Sequence, residues 1–168
     1  MAAPALYEEA IKQAILLLKF AEKERLAGPL AELMVEFAQE ELPLSDYDLV
    51  TPVPLYPVRE RERGYNQAAL LAMAVAPACL QATYTPALRR MVPTQTQSLL
   101  TGQPRHRNVK GAFAGNGIPV KGKAVLLIDD VVTTGSTVNE CAGTLLRAGA
   151  ASVDVLAIAL ARLRSSPA

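Results

Sequence analysis

The sequence predicts an α/β fold: a doubly wound, mainly parallel sheet with helices at the N-terminus. Two observations predict it. Strand-like segments alternate with helix-like ones, and the strands, VLLI at 125–128 above all, are nearly continuous apolar runs. A strand buried on both faces reads this way, and such strands belong to parallel sheets covered by helices. The 168 residues, 51% of them apolar, suffice for a single packed domain. Residues 1–42 would be helices that pack on the sheet or form a small hood, and 43–168 the α/β core.

Ala5 to Lys23 reads as a helix, with Leu6, Ala10, Ala14, Leu17 and Ala21 at helical spacing. Gly28-Pro29 breaks it, and Pro29 suits the first turn of a second helix reaching about Glu41. Asp48 to Val53 is a short buried strand, after which Pro52, Pro54 and Pro57 force an extended path. Tyr65 to Val75 is a helix and Thr83 to Leu88 a weaker strand. Met91 to Arg107 is long, polar and aperiodic, as functional loops are. Lys123 to Asp129 is the clearest strand, Ser136 to Ala148 a helix closed by Gly149, and Ser152 to Ala161 the last strand.

Composition excludes several classes. The apolar run Ala14 to Leu18 is too short to span a bilayer and sits among charges, so the chain reads as cytoplasmic, with no membrane partner. Cys79 and Cys141 have no metal-ligand spacing and read as buried thiols. Charge is segregated: residues 1–62 hold 12 acids and 6 bases, whereas 63–128 hold 8 bases and no acid. A carboxylate-free centre suits an anionic partner. The acidic N-terminal part places Lys12 and Lys19 away from that partner.

The sharpest feature is VLLIDDVVTTGST, Val125 to Thr137. A buried strand ends in Asp129 and Asp130, and the turn Thr133, Thr134, Gly135, Ser136, Thr137 leads into a helix. Backbone N–H groups and the positive end of a helix dipole attract phosphate. Hydroxyls add donors, and glycine allows close approach. The two acids repel phosphate, but they accept from vicinal ribose hydroxyls or hold Mg²⁺, directly or through water. Acids followed by a phosphate cradle describe a sugar phosphate. The turn lacks the Lys of a Walker loop and the spaced glycines of a dinucleotide fingerprint. A second anion site is readable at Arg59, Arg61 and Arg63 before Gly64-Tyr65-Asn66-Gln67, at a strand-to-helix junction.

These 13 residues resemble the signature that binds 5-phosphoribosyl 1-pyrophosphate (PRPP) in type I phosphoribosyltransferases. VPLYPVRERERGYNQ at 53–67, the Gln97, Arg105, Asn108 and Phe113 stretch, and Ile15 to Ala31 are similar to the ComF, or competence-protein, branch of that family. The resemblance implies a type I phosphoribosyltransferase fold and an Mg²⁺ cofactor. It implies that Asp129 and Asp130 face the ribose and Mg²⁺ as catalytic residues, and that Val131, Val132 and Thr133 to Thr137 hold the 5-phosphate. Arg59, Arg63, Gly64 and Asn66 would meet the pyrophosphate. Arg89, Gln97, Arg105, Arg107 and Asn108 would belong to a flexible loop that closes over the ligand, with Gln95 beside them. Family members often begin with a four-cysteine zinc ribbon, which two cysteines cannot form.

Two functions follow from the resemblance. One is transfer of phosphoribosyl from PRPP to an acceptor with release of pyrophosphate. The other is a non-catalytic PRPP-binding protein that acts with single-stranded DNA and DNA-uptake proteins in natural transformation. Either is compatible with a homodimer.

Overall fold

The computed structural model describes residues 1–19, 21–92 and 109–161. Five parallel strands, numbered in chain order, form one sheet: β1 (Ala5–Leu6), β7 (Ser152–Leu160), β6 (Ala124–Val132), β2 (Leu49–Pro52) and β3 (Thr83–Tyr84). β6 is central because Val125, Leu126, Leu127 and Ile128 offer no polar face to water, and all four are fully buried.

Alternation along the strand sends these side chains into two cores. Leu126 and Ile128 join Leu156 and Ile158 of β7 beneath α1 (Glu9–Leu18), α2 (Ala27–Glu41) and α4 (Gln67–Val75). Val125 and Leu127 pack on the other face, against α5 (Ser136–Arg147) and a small antiparallel sheet of β4 (Leu88–Arg90) and β5 (Phe113–Gly115). Each buried Leu or Ile stabilises the fold by about 1.5–3 kcal/mol. The doubly wound parallel architecture is therefore present, and the N-terminal helices pack on the sheet.

Four local expectations need correction. Ala5 and Leu6 do not begin a helix; they pair with Ala159 and Leu160 as an edge strand, and α1 starts at Glu9. The open edge of β7 overrides local helical spacing, because its backbone groups need partners: the Tyr7 N–H donates to the Leu160 carbonyl at 2.9 Å. Gly28 and Pro29 break nothing, since both lie in the first turn of α2, which starts at Ala27. The extended path after β2 ends at Tyr56. Pro57 opens a helix, α3 (Pro57–Arg63), that buries none of its residues and stops at Gly64, where φ is 87°.

The segment read as one strand, Thr83 to Leu88, divides around Pro86 into β3 and β4, which lie in different sheets. Proline has no N–H to continue a ladder. Both cysteines are buried, free thiols. Among the described residues, no helix is long and apolar enough to cross a membrane.

Candidate functional site

β2 stops opposite Ile128, whereas β6 runs on to Val132. Asp129 and Asp130 therefore lie within β6, just past the point where it loses a neighbour, and not after its end. The vacated place opens a cavity of about 450 Å³ at the carboxyl edge of the sheet, where open α/β folds place ligands. Asp129 to Val138 form one wall and Val53 to Leu55 another; Tyr7, Lys19, Gln67 and Arg90 complete it.

The two acids differ in surroundings. Asp129 lies on the α5 side, near enough to Cys141 to help burial raise that thiol. Burial first, then the charge of Asp130, pushes the Asp129 carboxyl well above the ordinary carboxylate range, against the hydrogen bond it accepts from the Asp130 N–H at 2.9 Å. Asp130 accepts the Val131 N–H at its Oδ1, at 2.8 Å. Its buried Oδ2 has no well-angled hydrogen-bond donor; the Lys19 ammonium stands 3.0 Å away as an ion pair.

The turn is built for a backbone approach. Gly135 caps α5 with φ at 77°, a left-handed conformation that disfavours residues with a Cβ. It offers no side-chain oxygen to the first-turn N–H groups, unlike the Ser or Thr that usually caps a helix. The Thr134 and Ser136 hydroxyls are 2.9 Å apart, and both are exposed toward the opening.

Asp129, Asp130, Val131, Val132 and Thr133 to Thr137 are thus gathered around one cavity. The basic residues expected beside them are not. Arg59 is exposed on α3 and pairs with Glu62 at 3.0 Å. Arg63 donates to the lining residue Gln67 without itself lining the cavity, and Gly64 is the exposed stop of α3. Asn66 is buried as a cap, its Oδ1 accepting the Ala68 N–H and its Nδ2 donating to the Val53 carbonyl, both at 3.0 Å. The cause is Pro57: by starting a helix it carries the arginines away from the sheet edge.

Arg89 is exposed on β4, and its neighbour Arg90 reaches the cavity, over the Phe113 ring at 5.3 Å. Successive strand residues face opposite sides, and that alternation selects the second arginine. Gln95, Gln97, Arg105, Arg107 and Asn108 lie outside the described residues. Lys19, set among acids in the sequence, and Tyr7, which no motif marks, also line the cavity. No sequence signal marks Lys19, because the helix read from the sequence runs on to Lys23, whereas α1 ends at Leu18 with Lys19 as its cap.

The donors suit Mg²⁺. Among the described residues, no third His, Cys, Asp or Glu joins a metal-binding cluster. Two adjacent carboxylates match the habit of Mg²⁺, which keeps waters and substrate phosphates as its other ligands.

The burial of Asp129 predicts a pH effect on the ligand-free protein. Its folded pKa is raised, so the folded state holds this proton more tightly than the unfolded chain does. Its contribution to stability is therefore greatest below the ordinary carboxylate range and is lost as pH rises through the raised folded pKa. Asp129→Asn should melt higher than the wild type at pH 8. The gap should shrink as pH is lowered toward 5, as read by thermal denaturation of both proteins. A constant gap would place the carboxyl in an ordinary environment.

Residues 88–166 match the sequence pattern of the phosphoribosyl transferase domain family. The chain is 40% identical over 141 residues to DNA utilization protein YhgH of Salmonella typhimurium, across 82% of this chain and 62% of that protein. It is 34% identical over 142 residues to competence protein F of Haemophilus influenzae, across 82% of this chain and 61% of that one. The chain thus spans less than two thirds of the length of these relatives. In fold it is similar to glutamine PRPP amidotransferase from B. subtilis, with a TM-score of 0.52 and 22% identity over 79% of this chain and 26% of that one.

Proposed function

The chain belongs to the ComF-type branch of the phosphoribosyltransferases, and on that premise we propose that its cavity binds PRPP together with Mg²⁺ and serves transfer of the phosphoribosyl group to an acceptor. One observation carries this reading: the acid pair and the Thr133–Thr137 turn border the same cavity at the N-terminus of α5. The turn's N–H groups and hydroxyls donate to the 5-phosphate. Asp129 and Asp130 accept from the ribose hydroxyls and fix the sugar below Val53 to Leu55. Arg90 and Lys19 bring positive charge to the leaving pyrophosphate.

When bound, Mg²⁺ would be held by Asp129 and Asp130, directly or through water, and would neutralise the pyrophosphate charge. The bond from C1 of the ribose to pyrophosphate breaks and a bond from C1 to the acceptor forms. The negative charge of the acid pair, fixed in advance beside the ribose, favours the positive ribosyl transition state over the reactants. Titration calorimetry with PRPP, with and without Mg²⁺, tests binding, and pyrophosphate release with candidate acceptors tests transfer. Binding with no release under any acceptor would favour a PRPP-binding protein without catalysis.

A second reading has its own support, in the names of the relatives and in the acid-free centre of the sequence. On this reading the surplus of cations serves single-stranded DNA. Binding would be weak and would fall steeply with salt, because counterions are released. Charge reversal at Arg89, Arg105 and Arg107 should reduce both affinity and salt slope in a fluorescence titration, and reversal at Lys12 should change neither. Arg90 is set apart, since its reversal would strike the PRPP cavity as well. Absence of DNA binding at low salt would leave the transferase reading alone.

A further inference from the structure

We propose that Lys19 is an exchangeable counter-ion of the site: it holds the Asp130 carboxylate while the cavity is empty, and it turns to a phosphate oxygen of the ligand when a divalent cation or a ribose hydroxyl takes that carboxylate. The inference rests on the PRPP reading for its second half only.

The geometry builds Lys19 into the site. Ile15 and Leu18 of α1 are fully buried in the core below α2 and α4. The Tyr65 hydroxyl donates to the Leu18 carbonyl, which ties the end of α1 to the turn between α3 and α4. Lys19, the cap residue, is thereby held above the carboxyl edge of the sheet and reaches down to Asp130 Oδ2 at 3.0 Å.

The carboxylate side of this pair has a side-chain exposure of 7% and the lysine side 30%. Asp130 cannot leave, because its Oδ1 is fixed by the Val131 N–H within β6. Lys19 can, because its ammonium is carried on a flexible stem at the cavity wall. Oδ2 is also the one buried side-chain oxygen or nitrogen among the described residues that lacks a directed hydrogen bond. A group that donates along the right direction would therefore be favoured over the present partner.

Charge then sets the direction of the exchange. Among the described residues, the ionised or ionisable groups of opposite sign on the lining are Asp129 and Asp130 against Lys19 and Arg90. A polyphosphate entering this cavity draws on both cations, and one of them, Lys19, is paired with a carboxylate. Arg90 is held from outside by the Phe113 ring and the Val92 carbonyl, which its Nε meets at 3.2 Å. Lys19 is the cation whose partner the ligand itself can replace.

Two measurements test this on the full chain, with wild type, Lys19→Met and Lys19→Arg. The first uses Mn²⁺ alone, as a probe for Mg²⁺, followed by electron paramagnetic resonance. Removing the competitor should tighten Mn²⁺ binding about 10-fold in Lys19→Met and little in Lys19→Arg. The second is calorimetry of PRPP with Mg²⁺. Its affinity should fall about 10- to 100-fold in Lys19→Met and stay near wild type in Lys19→Arg.

Unchanged Mn²⁺ affinity in Lys19→Met would overturn the exchange at Asp130, whatever PRPP does. Tighter Mn²⁺ with unchanged PRPP affinity would overturn the transfer to phosphate. Tighter Mn²⁺ in the variant, with no PRPP binding to the wild type, would support the exchange and overturn the PRPP reading. Should Lys19→Met fail to fold by circular dichroism, Lys19→Gln takes its place with the same outcomes.

Discussion

Converting both Asp129 and Asp130 to asparagine should lower PRPP affinity by roughly 100-fold or more, while the protein stays folded. Each carboxylate that accepts from a ribose hydroxyl, or holds Mg²⁺, offers a charge-assisted interaction worth about 1.5–3 kcal/mol. Two such losses multiply. The fold should survive because the pair is a strained feature of the empty site. Asp129 is buried, and its charge is disfavoured there by burial and by Asp130. Lys19 loses its partner but keeps access to water, with a side-chain exposure of 30%. The Asp129 Oδ1 that accepts the Asp130 N–H is preserved as the amide oxygen of asparagine. Calorimetry in the presence of Mg²⁺ reads the affinity and circular dichroism reads the fold. PRPP affinity equal to wild type in the double variant would sink the assignment of the acid pair.

Gly135→Val should abolish binding of ribose 5-phosphate. The reason is backbone conformation more than space. A Cβ at this position would meet Asn139 Nδ2 at 3.5 Å, an ordinary contact, but φ of 77° is a region that β-branched residues avoid. Relaxing that strain, about 1–2 kcal/mol, must turn the peptide groups that begin α5. Those groups are the proposed donors to phosphate. The melting temperature should drop by roughly 2–8 °C, since 1 kcal/mol is about 2–4 °C in a domain of this size. Gly135→Asn separates strain from shape, because asparagine tolerates the left-handed region and should melt closer to wild type. Ribose without phosphate should bind each variant as weakly as it binds wild type. If Gly135→Val takes up ribose 5-phosphate as wild type does, the turn is not the cradle.

Much of this was legible in the amino-acid order, because it depends on neighbours in the chain. VLLI reads as a doubly covered strand since four adjacent apolar residues admit no wet face, and Val125 to Ile128 are indeed fully buried. The succession of Asp129, Asp130 and the Thr/Gly/Ser turn places acids and donors within a few residues of one another, so their meeting on one cavity follows from local geometry. Gly149 as the stop of the last helix is equally local, with φ at 97°.

What tertiary structure alone decided is which distant groups share that cavity. Lys19 lies among acids in the sequence, yet the packing of Ile15 and Leu18 lowers it onto Asp130. The arginines of α3 are near Gly64 in the sequence, yet a helix opened by Pro57 displays Arg59 and Arg61 to solvent and turns the half-buried Arg63 to Gln67. Ala5 and Leu6 have helical spacing, yet they complete an edge that β7 leaves open. For Lys19 and for Ala5 and Leu6 a long-range contact outweighs a local preference worth only about 1 kcal/mol or less per residue, because burial and backbone pairing contribute more. The sequence by itself therefore determined the parallel α/β core and the acid-and-turn half of the site. The cationic half, Lys19 and Arg90, exists only once the chain has closed on itself.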